Sequence, residues 1–186
     1  YELRPKDGAF YGPKIDIDVE DSLKRKWTVA TIQLDFQMPE RFNLSFINKE
    51  GAKERPVMIH RSSIGSFERF FGIILEHVAG ALPVWLAPEQ VWVLPIGKTH
   101  VTYAKKIFEE LALHGIRATL QDTNETVGKK IREGELQKVP YLLIVGDKEV
   151  KSKTVSARKR GKGDLGKISM TKFLKQVILE IEKKTL

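Results

Sequence analysis

The segment at residues 57–72 carries the densest set of side chains that could do chemistry. An apolar run ends at His60, a Gly-Ser turn follows, and Arg69 falls in the first turns of the helix predicted next. Helix N-termini attract anions, and a guanidinium group presents a planar fork of donors that matches phosphate oxygens. The segment therefore predicts a nucleotide site at Arg69. Taken alone, a Glu68-Arg69 dipeptide is more typical of a surface pair on an amphipathic helix.

Two further polar residues interrupt apolar strands in the first half of the chain. Lys14 can neutralise a phosphate or carboxylate charge, and Gln33 offers both a donor and an acceptor. Polar side chains on a buried strand need partners, so both are candidates for ligand contact. A lone histidine such as His60 is by itself more typical of a core residue. The chain has no cysteine and no GxGxxG, GxxxxGK[ST] or HExxH motif, which excludes disulfides and the commonest dinucleotide, P-loop and zinc-protease sites.

The elements that must position these residues follow from hydrophobic periodicity. Alternating and β-branched runs predict antiparallel strands, with a turn at residues 48–51. Apolar residues at helical spacing from Phe67 to Leu75 predict a helix that stops by Gly80. Residues 81–88 contain two prolines and predict a junction between domains. The predicted strands are 14–19, 27–36, 42–47 and 56–61.

After the junction, strands and helices alternate. Consecutive β-α-β units predict a parallel sheet covered by helices. Thr99 is predicted to cap the first helix, which ends at Gly115, and a basic glycine-rich loop is predicted after residue 159. The predicted strands are 90–96, 117–121, 141–145 and 154–159, and the last two helices are predicted at 125–137 and from Met170 onwards.

The positive charge is confined to the second half. Residues 1–87 hold 12 Lys+Arg and 12 Asp+Glu, so the whole net charge of +8 lies in residues 88–186. Such an imbalance favours a polyanionic partner, because phosphate neutralisation supplies most non-specific nucleic-acid affinity. A solvated basic face without a partner is the alternative. No apolar run approaches the ~20 residues that a membrane helix needs, and we expect a soluble, cytoplasmic protein without a membrane partner.

The string at residues 57–72 resembles motif 3 of class II aminoacyl-tRNA synthetases, a strand-to-helix element that ends in Glu-Arg. The resemblance continues over essentially the whole chain. Among class II synthetases, the chain is most similar to the threonyl-tRNA synthetase family. It implies an α/β fold, with an antiparallel sheet and helix followed by a βαβαβ-type domain with a mixed, mostly parallel five-stranded sheet. The segments that carry it are 7–16, 31–36, 39–42, 56–61, 128–133, 139–141, 146–149 and 155–158.

The resemblance also implies roles for individual residues. Arg69 would contact the γ-phosphate and adenine of ATP, and His60 would be one of three protein ligands to Zn²⁺. Tyr11, Lys14, Gln33 and Ser66 match positions around the aminoacyl adenylate. Catalysis would consist mainly of positioning and charge neutralisation, with Arg69, Lys14 and Gln33 as the catalytic residues. Thr28 departs from the glutamine that many family members carry there.

The implied reaction joins threonine to ATP, used with Mg²⁺, and passes the threonyl group to tRNA(Thr). Motifs 1 and 2, the main dimer contact, an editing domain and the remaining zinc ligands would precede Tyr1 in a complete enzyme of this family, which acts as a homodimer. With His60 alone a tetrahedral zinc site cannot form within one chain. We therefore expect this chain by itself to be inactive.

The domain after residue 87 would read the anticodon. The resemblance assigns the contacts to Asn124, Arg132, Lys138, Glu149 and Arg158. Unpaired bases expose edges that an amide, a guanidinium or a carboxylate can recognise. Lys138 is a departure if the family norm is arginine, because lysine cannot make a forked contact.

The sequence thus predicts two domains, 1–87 as half of a catalytic domain and 88–186 as an anticodon-binding domain. Two alternatives remain open: a freestanding tRNA-binding or regulatory protein derived from such an enzyme, and a prolyl- or histidyl-type class II synthetase. The length of the natural reading frame distinguishes the first alternative from the synthetase, because an upstream segment with motifs 1 and 2 would support the enzyme. The His60-Arg61 entry into motif 3 argues against the second.

Overall fold

The computed structural model describes residues 1–185, which divide into two compact units, residues 1–77 and residues 78–185. The first unit is built on a three-stranded antiparallel sheet in the order β1-β2-β5. A two-stranded hairpin and two helices complete this unit. Its elements are β1 (Lys14–Glu20), β2 (Lys26–Asp35), α1 (Gln37–Arg41), β3 (Phe46–Ile47), β4 (Lys53–Glu54), β5 (Met58–Ser62) and α2 (Phe67–His77).

The turn between β1 and β2 is organised by one carboxylate. Asp21 accepts hydrogen bonds from the backbone N–H groups of Leu23 and Arg25, both at 2.9 Å, and from the indole N–H of Trp27, also at 2.9 Å. Arg25 returns a side-chain bond to Asp21 and pairs with Glu76 of α2. These bonds tie the hairpin turn to the helix that follows β5.

The region between β2 and β5 differs from the prediction of a strand at residues 42–47. Helix α1 directly follows β2 instead. The Asp35 carboxylate accepts the N–H groups of Gln37 and Met38 at the start of this helix. Pro39 occupies a first-turn position that needs no N–H donor. Only Phe46–Ile47 remains extended. The predicted turn at residues 48–51 is confirmed, with the Asn48 side chain accepting two backbone N–H groups.

The second unit contains a mixed five-stranded sheet in the order β10-β9-β8-β6-β7. Strands β7, β6 and β8 are parallel, β9 is antiparallel to β8, and β10 is antiparallel to β9. The mixed sheet predicted from the sequence is confirmed. Its elements are β6 (Val91–Pro95), α3 (Val101–Leu113), β7 (Ala118–Leu120), α4 (Val127–Leu136), β8 (Tyr141–Val145), α5 (Asp147–Ser152), β9 (Thr154–Lys159), β10 (Gly163–Ser169) and α6 (Met170–Glu182).

The core of this unit lies on both faces of the sheet. Helices α3 and α6 bury Ile107 and Phe173 against one face, which also includes Tyr141. Helix α4 packs on the other face against Trp92 and Leu142. Only a glycine fits at position 134 of α4 without movement of its neighbours, because a Cβ there would lie 2.6 Å from Leu142 Cδ2.

Two local predictions for this unit were wrong. The residue that precedes the first helical turn is Gly97, not Thr99: a short 3-10 helix (Lys98–His100) leads into α3, and His100 Nδ1 accepts the Gly97 N–H at 3.0 Å. The predicted glycine-rich loop is the edge strand β10, which pairs with β9 through a register shift between Asp164 and Gly166. Helix α5 was not predicted. Within residues 1–185 no helix is long and apolar enough to cross a membrane.

Candidate functional site

Three of the predicted site residues form a row across the first sheet. Gln33 of β2 pairs with Lys14 of β1 on one side and with His60 of β5 on the other. Directly paired residues project from the same face of a sheet. The register therefore brings Lys14, Gln33 and His60 together on one face.

Tyr11 joins this row from the loop before β1. Its hydroxyl donates to Gln33 Oε1 at 2.6 Å, and its ring meets the His60 ring at 5.9 Å with an interplanar angle of 68°. The loop lies against β2 because residue 12 is glycine: a Cβ there would come within 2.3 Å of the Leu34 carbonyl oxygen. Tyr11, Gln33 and His60 thus form one connected polar group.

Lys14 is paired with a neighbour on its own strand. Its Nζ lies 2.8 Å from Asp16 Oδ2, and both side chains are about three-quarters buried. The hydrogen bond to Asp16 raises the pKa of Lys14, and the same bond lowers the pKa of Asp16. Lys14 is therefore charged, and an anionic ligand would compete with Asp16 for it.

His60 is held by a buried carboxylate. Its Nε2 lies 2.8 Å from Asp35 Oδ2, and the Asp35 side chain is 2% exposed whereas His60 is 41% exposed. Burial favours a higher pKa for Asp35, but the bonds from His60, Met38 and Gln37 together lower it. Asp35 is thus an anionic acceptor, and the sequence interpretation missed it. The signal that could have found it is the period of two that places Asp35 on the same strand face as Gln33.

Ser66 and Arg69 lie beyond the end of β5, at the start of α2. Ser66 Oγ accepts the Arg69 N–H at 3.2 Å and caps the helix. The Arg69 side chain is exposed and makes no hydrogen bond or ion pair within residues 1–185. Thr28 donates its hydroxyl to Asp18 at 2.6 Å. No hydrogen bond or ion pair joins Arg69 to the Lys14–Gln33–His60 row in the part of the chain that the structure describes.

In the second unit, Asn124 lies in the loop between β7 and α4 and lines a small cavity with Lys98, Asp122 and Lys130. Lys130 is 4% exposed and donates from Nζ to the carbonyl oxygens of Gln121 at 2.8 Å and Pro95 at 3.2 Å. Burial lowers the pKa of Lys130. Lys130 therefore fastens the Asn124 loop to the end of β6.

Arg132 and Lys138 lie on and after helix α4. Arg132 is exposed. Lys138 has a left-handed backbone with φ 57°, and the helix end is closed by N–H bonds from Lys138 to Glu135 and from Val139 to Gly134. The Lys138 side chain donates to the Ala79 carbonyl.

Glu149 is buried, and Arg158 is half-buried. Glu149 is 8% exposed, and its Oε2 accepts the Gly146 N–H at 3.0 Å in the first turn of α5. Arg158 pairs in register with Leu142, so it projects from the face that carries α4, where its guanidinium lies 3.4 Å from Glu135. Its Nε is buried without a hydrogen-bond partner in the described residues. None of the five predicted contact residues is hydrogen bonded to another within residues 1–185.

Residues 2–78 match the family described as tRNA synthetase class II core domain (G, H, P, S and T), and residues 90–180 match the family described as Anticodon binding domain. The fold described above is therefore that of the end of a class II aminoacyl-tRNA synthetase core domain, followed by an anticodon-binding domain.

Curated relatives show which class II synthetases the chain is similar to. The chain is 55% identical over 186 residues to the threonine–tRNA ligase of Caldanaerobacter subterraneus subsp. tengcongensis, and 54% identical over 184 residues to that of Carboxydothermus hydrogenoformans. These alignments cover 100% and 99% of this chain but only 29% of each relative.

Solved structures agree with these relatives. A crystal structure of the RNA binding domain of threonyl-tRNA synthetase from Cryptosporidium parvum superposes with a TM-score of 0.84 at 42% identity, covering 96% of this chain and 45% of that one. A prolyl-tRNA synthetase from the same organism shares the fold, with a TM-score of 0.76 at 21% identity over 96% of this chain and 38% of its own. The chain belongs to the threonyl-tRNA synthetase family and matches its C-terminal portion.

Proposed function

We propose that the chain supplies one part of the catalytic site and the anticodon-reading domain of a cytoplasmic threonine–tRNA ligase. The whole enzyme would convert threonine and ATP, with Mg²⁺, to threonyl adenylate and then transfer the threonyl group to tRNA(Thr). The observation that carries the proposal is the row of Lys14, Gln33 and His60 on one sheet face, in a chain that matches this family. Since the chain spans 29% of its curated relatives, we expect catalysis only from the longer protein, acting as a homodimer.

The residues of the first unit suit an adenylate site. The Tyr11–Gln33 pair presents a fixed donor and acceptor to a polar substrate, and the Lys14 ammonium can leave Asp16 for a phosphate or carboxylate oxygen. Arg69, which has no ion pair within residues 1–185, is available for the phosphates of ATP. Ser66 fixes the start of the helix that carries Arg69.

His60 suits one position of a zinc site. A zinc-binding histidine commonly donates its other ring N–H to a carboxylate, and Asp35 lies within hydrogen-bond distance of His60 Nε2 for such a bond. Residues 1–185 contain no group of three His, Cys, Asp or Glu side chains able to hold a metal, so the other ligands would come from another part of the enzyme. Bound zinc would bind the amino and hydroxyl groups of threonine. Valine lacks the hydroxyl group, so such a site would select against it.

The second functional domain, which we place at residues 88–186, would bind the anticodon loop of tRNA(Thr). Residues 81–87 nevertheless pack with it, because Arg160 donates to the carbonyls of Ala81 and Leu82. The proposed base contacts are Asn124, Arg132, Lys138, Glu149 and Arg158. The net charge of +8 in this half supports phosphate binding around them.

A matched pair of substitutions tests the proposal. Arg158→Ala and Lys162→Ala each remove one positive charge, and Lys162 is an exposed residue between β9 and β10 without a proposed base contact. We expect Arg158→Ala to weaken binding to the cognate anticodon stem-loop by about 10- to 100-fold, by analogy with base readout in DNA. Binding to an anticodon-mutated loop should fall only as much as in Lys162→Ala. Equal losses for both loops and both variants would leave only non-specific attraction.

A further inference from the structure

One face of the five-stranded sheet is covered by a helix only in part. Helix α4 packs on this face against Trp92 of β6 and Leu142 of β8. Strands β9 and β10 continue the sheet beyond β8, on the side away from β6. In the described part of the chain, no residue of β9 or β10 belongs to the apolar cluster beneath α4. This face of β9 and β10 is therefore an open surface beside α4, which we call the β9–β10 strip.

Strand pairing shows which side chains the strip presents. Ile144 of β8 packs against the cluster beneath α4. Ser156 pairs with Ile144, and Lys167 pairs with Ser156, so the three side chains form one row on this face. Arg158 lies in the next row, where it pairs with Leu142 on one side. With the alternation along each strand, the strip consists of Thr154, Ser156, Arg158, Asp164, Lys167 and Ser169.

Three polar groups of the strip are available to a ligand. The exposed Lys167 ammonium and the half-buried Ser156 hydroxyl make no hydrogen bond or ion pair within residues 1–185. The Arg158 guanidinium has one bond, at 3.4 Å, to an exposed carboxylate of α4. Asp164, the acid of the strip, accepts the Gly166 N–H at 2.8 Å. The strip thus offers two cations and a hydroxyl to an anionic, hydroxyl-bearing partner.

We infer that the strip binds the sugar-phosphate backbone of loop nucleotides next to the anticodon, with Lys167 on a phosphate and Ser156 on a ribose 2′-hydroxyl. The inference rests on the proposed anticodon contact of Arg158, which belongs to the strip. Diagonal residues in neighbouring rows of an antiparallel pair lie about 7–8 Å apart, so a strand with a base at Arg158 can place a phosphate on Lys167. The strip has no aromatic side chain for base stacking, so its contacts supply affinity without sequence preference.

The geometry favours RNA over an acidic peptide as the polyanion. An extended peptide adds to a sheet through main-chain hydrogen bonds at its edge. The available groups of the strip instead project from the face of the sheet, where phosphates and ribose hydroxyls can reach side chains directly. Single-stranded loops present both groups to a protein surface.

A matched pair of lysine variants of the 186-residue chain tests the strip. Lys175 is exposed on α6, which packs on the opposite face of the sheet, so Lys175→Gln is the control for Lys167→Gln. The loss of one single-strand phosphate contact at about 0.1 M salt weakens binding about fivefold. We expect this loss in Lys167→Gln for cognate and anticodon-mutated stem-loops alike, and wild-type affinity in Lys167→Arg. Equal weakening by Lys175→Gln would show diffuse attraction and overturn the inference.

Chemically altered stem-loops identify the groups that the strip contacts. A neutral methylphosphonate is placed at one loop linkage at a time. At one linkage outside the anticodon triplet, it should weaken binding to the wild type and to Lys175→Gln about fivefold but leave binding to Lys167→Gln unchanged. A single 2′-deoxy nucleotide should show the same relation to Ser156→Ala. Additive losses at every linkage, or a silent linkage only within the triplet, would overturn the inference.

Two further outcomes separate this inference from its alternatives. If the wild-type chain binds cognate and anticodon-mutated loops equally, the proposed anticodon function fails, whereas the pairing of Lys167 with one phosphate is measured independently of that preference. If Lys167→Gln weakens binding to a polyglutamate peptide but leaves binding to the stem-loop unchanged, the strip belongs to an acidic peptide, and the inference is overturned.

Discussion

At the scale of single residues, Glu149 combines a structural bond with its proposed contact to a base. One carboxylate oxygen accepts the Gly146 N–H, and the side chain is 8% exposed. Glu149→Gln keeps an oxygen for the Gly146 N–H, whereas Glu149→Ala removes it. We expect Glu149→Gln to keep the stability of the domain and to lose anticodon preference, and Glu149→Ala to lose preference and about 1 kcal/mol of stability. Urea unfolding and stem-loop binding at fixed salt measure the two effects, and unchanged preference in Glu149→Gln would remove this residue from the site.

We predict that Lys130 affects anticodon binding only indirectly, because it holds the loop that carries Asn124. Lys130→Met keeps the apolar stem but leaves the Gln121 and Pro95 carbonyls without their ammonium donor. We expect a loss of about 1–3 kcal/mol in the free energy of unfolding, the usual cost of leaving buried acceptors unpaired. Hydrogen exchange should rise in residues 121–125. Lys129→Met, which breaks only an exposed pair with Glu125, should cost less than about 1 kcal/mol. Similar losses in both variants would contradict the anchoring role.

At the scale of elements, the β1–β2 hairpin should depend on the ionisation of Asp21. The Trp27 indole bond, together with Arg25 and two backbone N–H groups, lowers the pKa of Asp21 to about 2. A lowered pKa in the folded state means that the stabilising effect is present above the ordinary aspartate pKa of ~3.9 and is lost as the pH falls towards 2.

The hairpin prediction is tested by the exchange rate of the Trp27 indole N–H. We expect protection in the wild-type chain at about pH 5 that decreases between about pH 4 and 2, and little protection at either pH in Asp21→Asn. Asp7→Asn is the control, because the Asp7 side chain makes no hydrogen bond within residues 1–185. Protection of the Trp27 indole N–H, relative to its intrinsic exchange rate at each pH, that did not change between about pH 5 and 2 in the wild type would show that the carboxylate does not organise the turn.

Helix α6 is predicted to depend on a partly buried polar cluster. Glu180 accepts from the Tyr141 hydroxyl at 2.6 Å and from Lys159 at 2.7 Å, which joins α6 to β8 and β9. Burial and the bond to Glu180 raise the pKa of Tyr141. Glu180→Ala removes the carboxylate acceptor from both donors, so we expect it to lower the free energy of unfolding by about 1–3 kcal/mol. Glu182→Ala, an exposed change at the end of the same helix, should have little effect in the same thermal unfolding measurement.

The elements that the sequence predicted well are those with an unmistakable period. Strands β8 and β9 have the predicted bounds, since their apolar residues alternate or run continuously between clear turn residues. Strand β10 was missed because its glycines at positions 163 and 166, with φ of 73° and 75°, have low strand propensity and its pairing with β9 is not evident from local pattern. Helix α1 was missed because its start depends on Asp35 and on a proline that usually marks a break.

For the candidate site, the sequence suggested individual residues but not all of the contacts between them. Family motifs identified Lys14, Gln33 and His60, and strand pairing then brought them into one row. The Asp35–His60 contact joins residues 25 positions apart on different strands. The period of two places Asp35 on the strand face of Gln33 but does not identify its partner, because the contact depends on the register of two strands and on the cap of a helix that the sequence did not predict.

At the scale of the whole molecule, the net charge overstates the cations available to RNA. Among the eight basic residues between 148 and 167, Lys159 is bonded to Glu180, Arg160 donates to backbone carbonyls, and Arg158 lies beside Glu135. The five remaining lysines have side chains without a hydrogen bond or ion pair within residues 1–185. They are Lys148, Lys151, Lys153, Lys162 and Lys167.

These lysines should therefore supply affinity without preference. We expect Lys148→Gln combined with Lys151→Gln to weaken binding to cognate and anticodon-mutated stem-loops by the same factor. The slope of log affinity against log salt concentration should decrease in magnitude by about 0.7 for each single-strand phosphate that the variant no longer neutralises. Arg158→Ala should instead change the preference more than the slope. Salt titrations of both variants with both loops measure the two quantities. A lysine pair that changed preference, or an Arg158→Ala variant that changed only the slope, would show that phosphate attraction and base reading are not divided between these residues.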